Sequence, residues 1–555
     1  MTRRVLVGGG TGSFGARLVE GLVATTDLDV IIAARNVDRA KALKAALRAR
    51  HPHRQIETHG FDATTTTADD LRRLGVWCVV DAAGPFQTRK PTLVEAAIAA
   101  GSHYVDLADA RDFVAGIAAF DKAARVADVL VVSGASSTPA LSNAVLDQLT
   151  NGWRRIDRVE VAISPGNRQP RGLSVVKAIL ANAGQPIRVF RGGVWAQSRG
   201  MAMLIRRRMP GLGRRWLFLF ETPDLDIISK RFAPRCDALF RAGLELTVPH
   251  LGLWALSKLV VLRLLPNLLP LARPLRTIAE WLRPLGSSRG GMSVSVEGVD
   301  RDGRAGTATW ALVAEEDGPN VPILPALALI RALANGRIGQ RGALPCVGLL
   351  SLADITREFN RFHIAIRRKF EPRTLFPRVL GTTFASLPDA VQNTHHVDDV
   401  LVLEGRASIE GAKTLLARAI AHLIGFPRGG RDVPVTVTMR TVDGGEEWTR
   451  VFGGARFRTR LTTLDGLPRQ LIERFGPCTF NLRLTARPDR LDYAVMSGRI
   501  GFVPLPSFLI PRSFATERVD DAGRFQFDVP IALPGLGLLV HYRGWLTVRQ
   551  HALPR

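Results

Sequence analysis

Residues Arg4 to Gly15 read RVLVGGGTGSFG, an apolar run that passes straight into Gly10-Thr11-Gly12-Ser13-Phe14-Gly15. A helical pattern follows, because Phe14, Leu18 and Leu22, and then Val19 and Val23, recur at the i, i+4 spacing of one apolar face. This is GxGxxG with a strand before it and a helix after it, the setting in which the pattern carries meaning. Gly10 permits the tight turn, Gly12 lets the backbone approach a pyrophosphate, and Gly15 lets the helix lie close to the strand. The amides of Thr11, Ser13 and Phe14, at the start of that helix, then face the anion. The chain is expected to open with a dinucleotide site.

The next strand is expected at Asp29 to Ala34. About 20 residues past such a glycine motif, an NAD site offers an acidic residue to the ribose 2′-hydroxyl. This chain offers Arg35, which cannot accept from a hydroxyl but pairs with a 2′-phosphate through a charge-assisted contact. NADP is therefore expected ahead of NAD. The other reading is that Arg35 solvates a loop end while Asp38 reaches the ribose.

Further short apolar runs at Ile56 to Phe61, Val76 to Ala82 and Val129 to Ser133 are separated by helix-length polar and alanine-rich segments. Strands that alternate with helices predict a Rossmann-type, doubly wound parallel sheet. Ligands of such sheets lie over the carboxyl ends of the strands. The residues expected there are Asp62, Ala83-Gly84-Pro85-Phe86 and Gly134-Ala135-Ser136-Ser137.

At 555 residues the chain exceeds one core and suggests three domains. Its hydrophobic fraction of 46% is that of a globular protein. The four cysteines, Cys78, Cys236, Cys346 and Cys478, show no CxxC or Cys/His spacing, which argues for a reducing, cytoplasmic setting and against a structural metal. The first apolar run is too short and glycine-broken for a signal peptide. The formal net charge of +25 implies an anionic partner such as a phosphate cofactor, an acyl-carrier or CoA thioester, or an anionic membrane surface. Arginine is spread along the chain without a base-stacking aromatic motif, so nucleic acid is not expected.

The segments VLVGGGTGSFG, DAAGPFQ at 81–87, AGSHYVDLAD at 100–109 and VVSGASSTPALSNAV at 131–145 resemble the saccharopine dehydrogenase-like family of NAD(P) reductases. The resemblance covers roughly residues 1–350. It implies that Gly84 and Pro85 lie by the nicotinamide end of the cofactor, that Tyr104 and Asp106 follow a strand near it, and that the chain leaves the cofactor domain near Pro139. Where the saccharopine-forming enzymes carry an Asp-Pro-Gly-x-Asp-His type sequence, this chain has Ser136-Ser137-Thr138-Pro139-Ala140-Leu141. Charged groups suited to an amino-acid substrate are missing there, and an apolar or acyl substrate is expected instead.

Short-chain reductases protonate their substrate with a tyrosine four residues before a lysine. The three tyrosines here, Tyr104, Tyr493 and Tyr542, are followed four residues on by Ala108, Ser497 and Leu546, so that mechanism is absent. Tyr104 and Asp106 are the candidate proton donors at the nicotinamide end; the alternative is a strand-end aromatic with its partnered carboxylate.

Residues 1–140 are thus read as the NADP-binding domain and 141–365 as a second, α+β substrate domain. In the latter, Val159 to Ser164, Gly291 to Gly298 and Gly306 to Ala314 alternate as an antiparallel sheet would. Between them lies an apolar insertion, Leu251 to Leu285, which Lys258 and Arg263 interrupt and Pro266 and Pro270 break. No uncharged run in it approaches the ~20 residues that span a bilayer. It is read either as helices packed in the second domain around an apolar channel, or as a helix lying in a membrane interface with Arg206-Arg207-Arg208 and Arg214-Arg215 near anionic headgroups.

From Arg373 to the end the pattern becomes one helix, Gly411 to Ile424, and short alternating strands joined by Asp-Gly or Pro-rich turns. A C-terminal, mostly antiparallel β-domain is expected, similar to a domain of unknown function found behind such reductases. His395-His396 and His541 lack accompanying carboxylates at ligand spacing, so no metal is expected. Phe457, Phe475, Phe480, Phe502, Phe525 and Phe527 either line a concave, lipid-holding sheet or form its core.

Two function classes follow. One is an NADP-dependent oxidoreductase that moves a hydride to or from a C=N, C=C or C=O bond of an apolar or acyl substrate. The other is a non-catalytic NADP-binding or lipid-binding scaffold. Expected partners are a small molecule, an anionic membrane touched peripherally at its inner face, and a second copy of the chain in a homodimer.

Overall fold

A computed structural model describes residues 3–170, 172–442, 445–463 and 467–549. They fall into two compact units: residues up to 370 apart from Arg304–Gly306, and the remainder. The first unit opens with β1 (Arg4–Gly8), β2 (Asp29–Ala34), β3 (Ile56–Gly60), β4 (Val76–Asp81), β5 (His103–Asp106) and β6 (Leu130–Ser133). All are parallel, in the spatial order β6-β5-β4-β1-β2-β3. The expected runs agree with these strands to within a residue at each end. β1, β2, β4 and β6 are apolar and buried almost throughout, as strands covered by helices on each side require, whereas the edge strand β3, Ile-Glu-Thr-His-Gly, buries only Ile56 fully. The strand order reverses between β1 and β4, so the ligand crevice opens over the carboxyl ends of those two strands.

The second sheet begins with β7 (Arg155–Ser164), β8 (Pro186–Arg191), β9 (Val194–Arg199), β10 (Ile205–Met209), β11 (Gly213–Leu219), β12 (Asp237–Ala242), β13 (Gly290–Val299) and β14 (Ala305–Ala314). It is mixed, not antiparallel as its alternating strands suggested, because β12 runs parallel to β7 while β13 pairs β7 antiparallel. The chain from β7 to β12 crosses over through two helices and two hairpins, and alternation alone does not report strand direction. After it the chain returns to the first sheet, where β15 (Gly342–Pro345) lies parallel to β6 as the edge strand. β16 (Ile364–Pro372) closes the edge of the second sheet beside β14. The helix Leu324–Ala334 packs on the helix Gly15–Thr25, and Arg331 donates to Thr25 Oγ1 at 2.6 Å.

The apolar insertion forms two helices, Thr247–Val261 and Ala272–Trp281, joined by a short turn. Val260, Leu268 and Ala272 enter a core with Val176, Leu180 and Phe218. Leu262, Leu264, Ile278, Trp281 and Leu285 remain exposed. No helix among the described residues is long and apolar enough to cross a membrane.

The second unit is a closed antiparallel barrel. Its strands are β17 (Val400–Gly411), β18 (Gly430–Val442), β19 (Gly445–Phe452), β20 (Ala455–Thr463), β21 (Gln470–Phe475), β22 (Cys478–Ala486), β23 (Arg490–Ile500), the short β24 (Val503–Pro504), β25 (Phe514–Val519), β26 (Phe525–Leu533) and β27 (Gly537–Val548). Pairing of β22 with β23 closes the ring, so no long edge is left open. The helix expected from Gly411 starts at Leu415, since Gly411 still pairs with Val540 in the sheet. Phe502 does not join the other phenylalanines inside; it is 94% exposed.

Candidate active site

At the end of β1 the chain turns at Gly9, whose φ of +71° lies in the left-handed region and whose missing side chain leaves room for Ala82 and Ala83. Gly10 donates to Ala33 O at 3.0 Å, and Gly12 donates to Gly9 O at 2.8 Å. A Cβ on Gly15 would overlap the Gly9 carbonyl, so the expected close approach of helix to strand is real. A Cβ on Gly12 would meet only Gly9 O, at 3.1 Å, and otherwise open space. The backbone amides of Thr11, Ser13 and Phe14 find no acceptor among the described residues. Three free N–H groups at a helix start, beside an open glycine, form a cradle that fits a pyrophosphate.

A second helix start faces the same loop. Gly172 caps the helix Leu173–Ala181, and a Cβ there would stand 3.5 Å from Ser13 Oγ. At the other end of the crevice, Arg35 follows β2 and is exposed. Asp38 points into solvent, its side chain 94% exposed, with Lys41 as a 3.6 Å neighbour. Asp62 follows β3 and accepts from the Thr64 amide at 2.9 Å and its hydroxyl at 2.7 Å. These bonds, with Arg35 and Arg89 nearby, hold its carboxyl below the usual range.

The loop Ala83–Gln87 hangs from the end of β4. Asp81 Oδ1 accepts from the Ala83 amide at 3.0 Å, and Arg89 folds back to stand 2.6 Å from Asp81 Oδ2 and to donate to Ala83 O at 3.1 Å. Ala83, Gly84 and Pro85 are thereby fixed over the crevice. Tyr104 and Asp106 do not follow a strand: both lie in β5 and neither has any exposed surface. Tyr104 donates to Asp81 Oδ2 at 3.2 Å; burial, followed by the Asp81 and Asp106 charges, pushes its hydroxyl well above the ordinary range. Asp106 Oδ1 accepts from the amides of Gly134 (2.7 Å) and Ala108 (2.9 Å) and from Ser133 Oγ (3.0 Å), while Oδ2 has no hydrogen-bond partner. Burial pushes its carboxyl up to about 7 despite those three bonds. Both side chains therefore brace the loops that frame the crevice.

Sequence reasoning missed the groups beside them. Asp109, just beyond β5, is exposed, yet desolvation raises its carboxyl, and it accepts from Gln87 Nε2 at 3.2 Å. Arg111 donates to Asp226 at 2.7 and 2.6 Å and to Arg188 O at 2.8 Å, tying the start of the helix Arg111–Gly116 to the second sheet's layer. Asp224 is buried, pushed up to about 7 by desolvation, and accepts from Ser142 Oγ at 2.9 Å and Asn143 Nδ2 at 3.0 Å. The only trace of these pairs in the sequence was the acids themselves, Asp109 after β5 and Asp224 and Asp226 in the first turn of the helix Asp224–Phe232; their partners lie up to 115 residues away.

Residues 5–146 match the family model described as the saccharopine dehydrogenase NADP binding domain, and residues 387–546 match a domain of unknown function, DUF4166. Among solved structures, the chain is similar to saccharopine dehydrogenase (L-Glu forming) from Saccharomyces cerevisiae, at 14% identity over 67% of this chain and 100% of that one, with a TM-score of 0.48. GenD2 from gentamicin A biosynthesis, in complex with NAD, is 16% identical over 64% of this chain and 90% of that one, with a TM-score of 0.30. A probable dehydrogenase from Thermotoga maritima is 11% identical over 64% and 92%, with a TM-score of 0.32. No curated protein matches the chain.

Proposed function

We propose that this chain, whose residues 5–146 match the saccharopine dehydrogenase NADP binding domain, is an NAD(P)-dependent oxidoreductase that prefers NADP(H) and acts on an apolar or acyl molecule. The observation that carries the reading is the cradle: three unpartnered amides, an open Gly12 and a helix start, with Arg35 at the far end of the same crevice. When bound there, a reduced nicotinamide cofactor supplies a hydride. Thr11, Ser13 and Phe14 hold the pyrophosphate and Arg35 pairs with the 2′-phosphate. The Ala83–Pro85 loop, held by Asp81 and Arg89, borders the nicotinamide end. Asp109 exchanges the proton: it lies just past the carboxyl end of β5, is exposed, and desolvation holds its carboxyl above the usual range. Tyr104 and Asp106 act as positioning residues beneath it.

The absence of charge supports the substrate class. Ser136, Thr138, Pro139, Ala140 and Leu141 are buried and uncharged, which suits no ammonium or carboxylate group. Incubating the protein with NADPH and a fractionated lipid extract, and following loss of the cofactor's absorbance, tests the reading; cofactor binding without turnover across all fractions would favour the non-catalytic scaffold.

Peripheral contact with an anionic bilayer belongs to the same reading. Leu262, Leu264, Ile278, Trp281 and Leu285 are exposed in one segment, interspersed with exposed Arg263, Arg273, Arg276 and Arg283. Exposed large apolar side chains among arginines are the composition of an interfacial segment.

A further inference from the structure

The barrel encloses a cavity of about 390 Å³, within the usual ~300–1,000 Å³ of ligand sites. Its existence follows from strand number. An interior of about eight strands is just filled by side chains, and this ring closes with ten strands, the two-residue β24 aside. The chain plugs one end and leaves the other open. The helices Leu375–Leu380 and Asp389–Thr394 seal the first end, where Phe376 stacks on His395 at 3.8 Å between ring centres. At the second end lie the turn between β19 and β20, the segment after β23 and the helix Leu415–Ile424. That end carries Leu415, Leu423, Phe502, Val503, Phe508 and Phe514, all at least 60% exposed. Apolar side chains at the mouth of an apolar lumen give a greasy molecule surface to follow inward, among the exposed Arg428, Arg456, Arg499 and Arg512 of the same end.

The lumen wall is apolar toward the mouth, where Phe426, Phe475, Phe480 and Leu509 line it, and polar deeper in. There the alternation of β19 points Trp448, Arg450 and Phe452 inward together. The Arg450 side chain is only 14% exposed. Of its five N–H donors, one reaches Thr459 Oγ1 at 2.9 Å, and Glu473 stands no closer than 4.0 Å. The rings of Trp448 and Phe457 lie 4.8 and 5.6 Å from the guanidinium carbon. Glu517 also lines the lumen but is occupied, with Tyr493 donating at 2.8 Å and His395 at 2.6 Å. Arg450 thus faces an apolar space with donors to spare, a costly arrangement unless something accepts from it. Glu473 and Glu517 are already present, so a ligand carboxylate would add a third acid beside one arginine. A neutral acceptor adds none.

We propose that this lumen binds a neutral apolar molecule with one carbonyl oxygen, an ester or a ketone, its oxygen on Arg450 and its apolar body toward the mouth. The inference stands apart from the reading of the first unit. The test uses the full chain and 6-propionyl-2-(dimethylamino)naphthalene, a neutral ketone whose emission moves to the blue in apolar surroundings. The expected result is a saturable blue shift, displaced by methyl dodecanoate and at least about tenfold less effectively by dodecane or by dodecanoate. Arg450→Gln should weaken the ketone and ester about tenfold or more and leave dodecane unchanged. Ala515→Trp, which fills the lumen from β25, should abolish probe binding; if that variant fails to fold, Arg450→Gln decides alone. Absence of saturable binding, binding indifferent to both variants, or dodecanoate displacing the probe better than its methyl ester would each overturn the proposal.

Discussion

Replacing Gly12 by valine and, separately, Gly15 by alanine separates cofactor binding from folding, because the two glycines are required for different reasons. At Gly12 the φ lies outside the left-handed region and an added Cβ meets one carbonyl oxygen at 3.1 Å, so the folded chain accepts a side chain with a small shift. That side chain then projects into the space in front of the Thr11, Ser13 and Phe14 amides. Losing even one hydrogen bond between an amide and a charged phosphate costs roughly 1.5–3 kcal/mol, or about ten- to 150-fold in affinity. At Gly15 the Cβ would overlap the Gly9 carbonyl, 2.8 Å from its carbon and 3.0 Å from Gly10 Cα. Backbone cannot retreat as a flexible side chain can, and overpacking of this kind costs about 1–3 kcal/mol. Thermal melting of the full chain with and without NADPH reads both. Ligand at a hundredfold excess over its Kd adds about 2.7 kcal/mol to the stability of the unit that binds it. Gly12→Val should melt like the parent without NADPH and gain nothing with it, whereas Gly15→Ala should melt earlier even without ligand. Parental affinity in Gly12→Val, or equal loss of unliganded stability in both, would refute the placement of the pyrophosphate.

Other consequences are open to direct measurement. Arg35→Ala should weaken NADPH by roughly 1.5–3 kcal/mol and NADH little, as titration of both cofactors will show; equal affinity of the parent for the two would end the NADP assignment. Reduction consumes a proton, so a rate carried by Asp109 is full below its raised pKa and falls as pH climbs through it. Asp109→Asn should remove that limb of the pH profile and lower kcat by about 10²–10⁴, and a parental profile in the variant would exclude the residue. Serine at Leu262, Leu264, Ile278 and Trp281, all exposed, should reduce sedimentation with anionic vesicles, as should added salt; indifference to both disposes of membrane contact.

The first sheet was open to reading because its central strands are buried on both faces, so β1, β2, β4 and β6 stand out as apolar runs against polar helices. β5 hid among residues 100–109, because His103 and Asp106 break the apolar run although both are buried. β15 was not readable as a partner of β6: four residues carry no register, and their place is set by the helix Leu324–Ala334 docking some three hundred positions from the helix it packs on. In the barrel, β21 and β25 are short strands whose inward residues include Glu473 and Glu517. Acids on an inward face defeat an alternation test.

The same asymmetry divides the candidate site. Glycines are visible in sequence because backbone geometry admits little else at Gly9 or Gly15. Acids are visible only as acids, and their role depends on what has turned toward them. Asp106 and Asp109 are three residues apart, yet one receives two amides and a hydroxyl and is sealed inside, while the other holds a single glutamine and meets solvent. Little in LADA at 107–110 separates them, since apart from the Ala108 amide the donors come from β6, from the loop after it and from the loop after β4. Once Ser133, Gly134 and Ala108 have taken Oδ1 of Asp106, that carboxyl is held in place by three fixed donors and cannot turn toward a substrate without breaking them. Asp109, exposed and with Gln87 as its side-chain partner, carries no such brace, which is why the proposed proton exchange is assigned to it and why Asp109→Asn is the variant that tests the assignment.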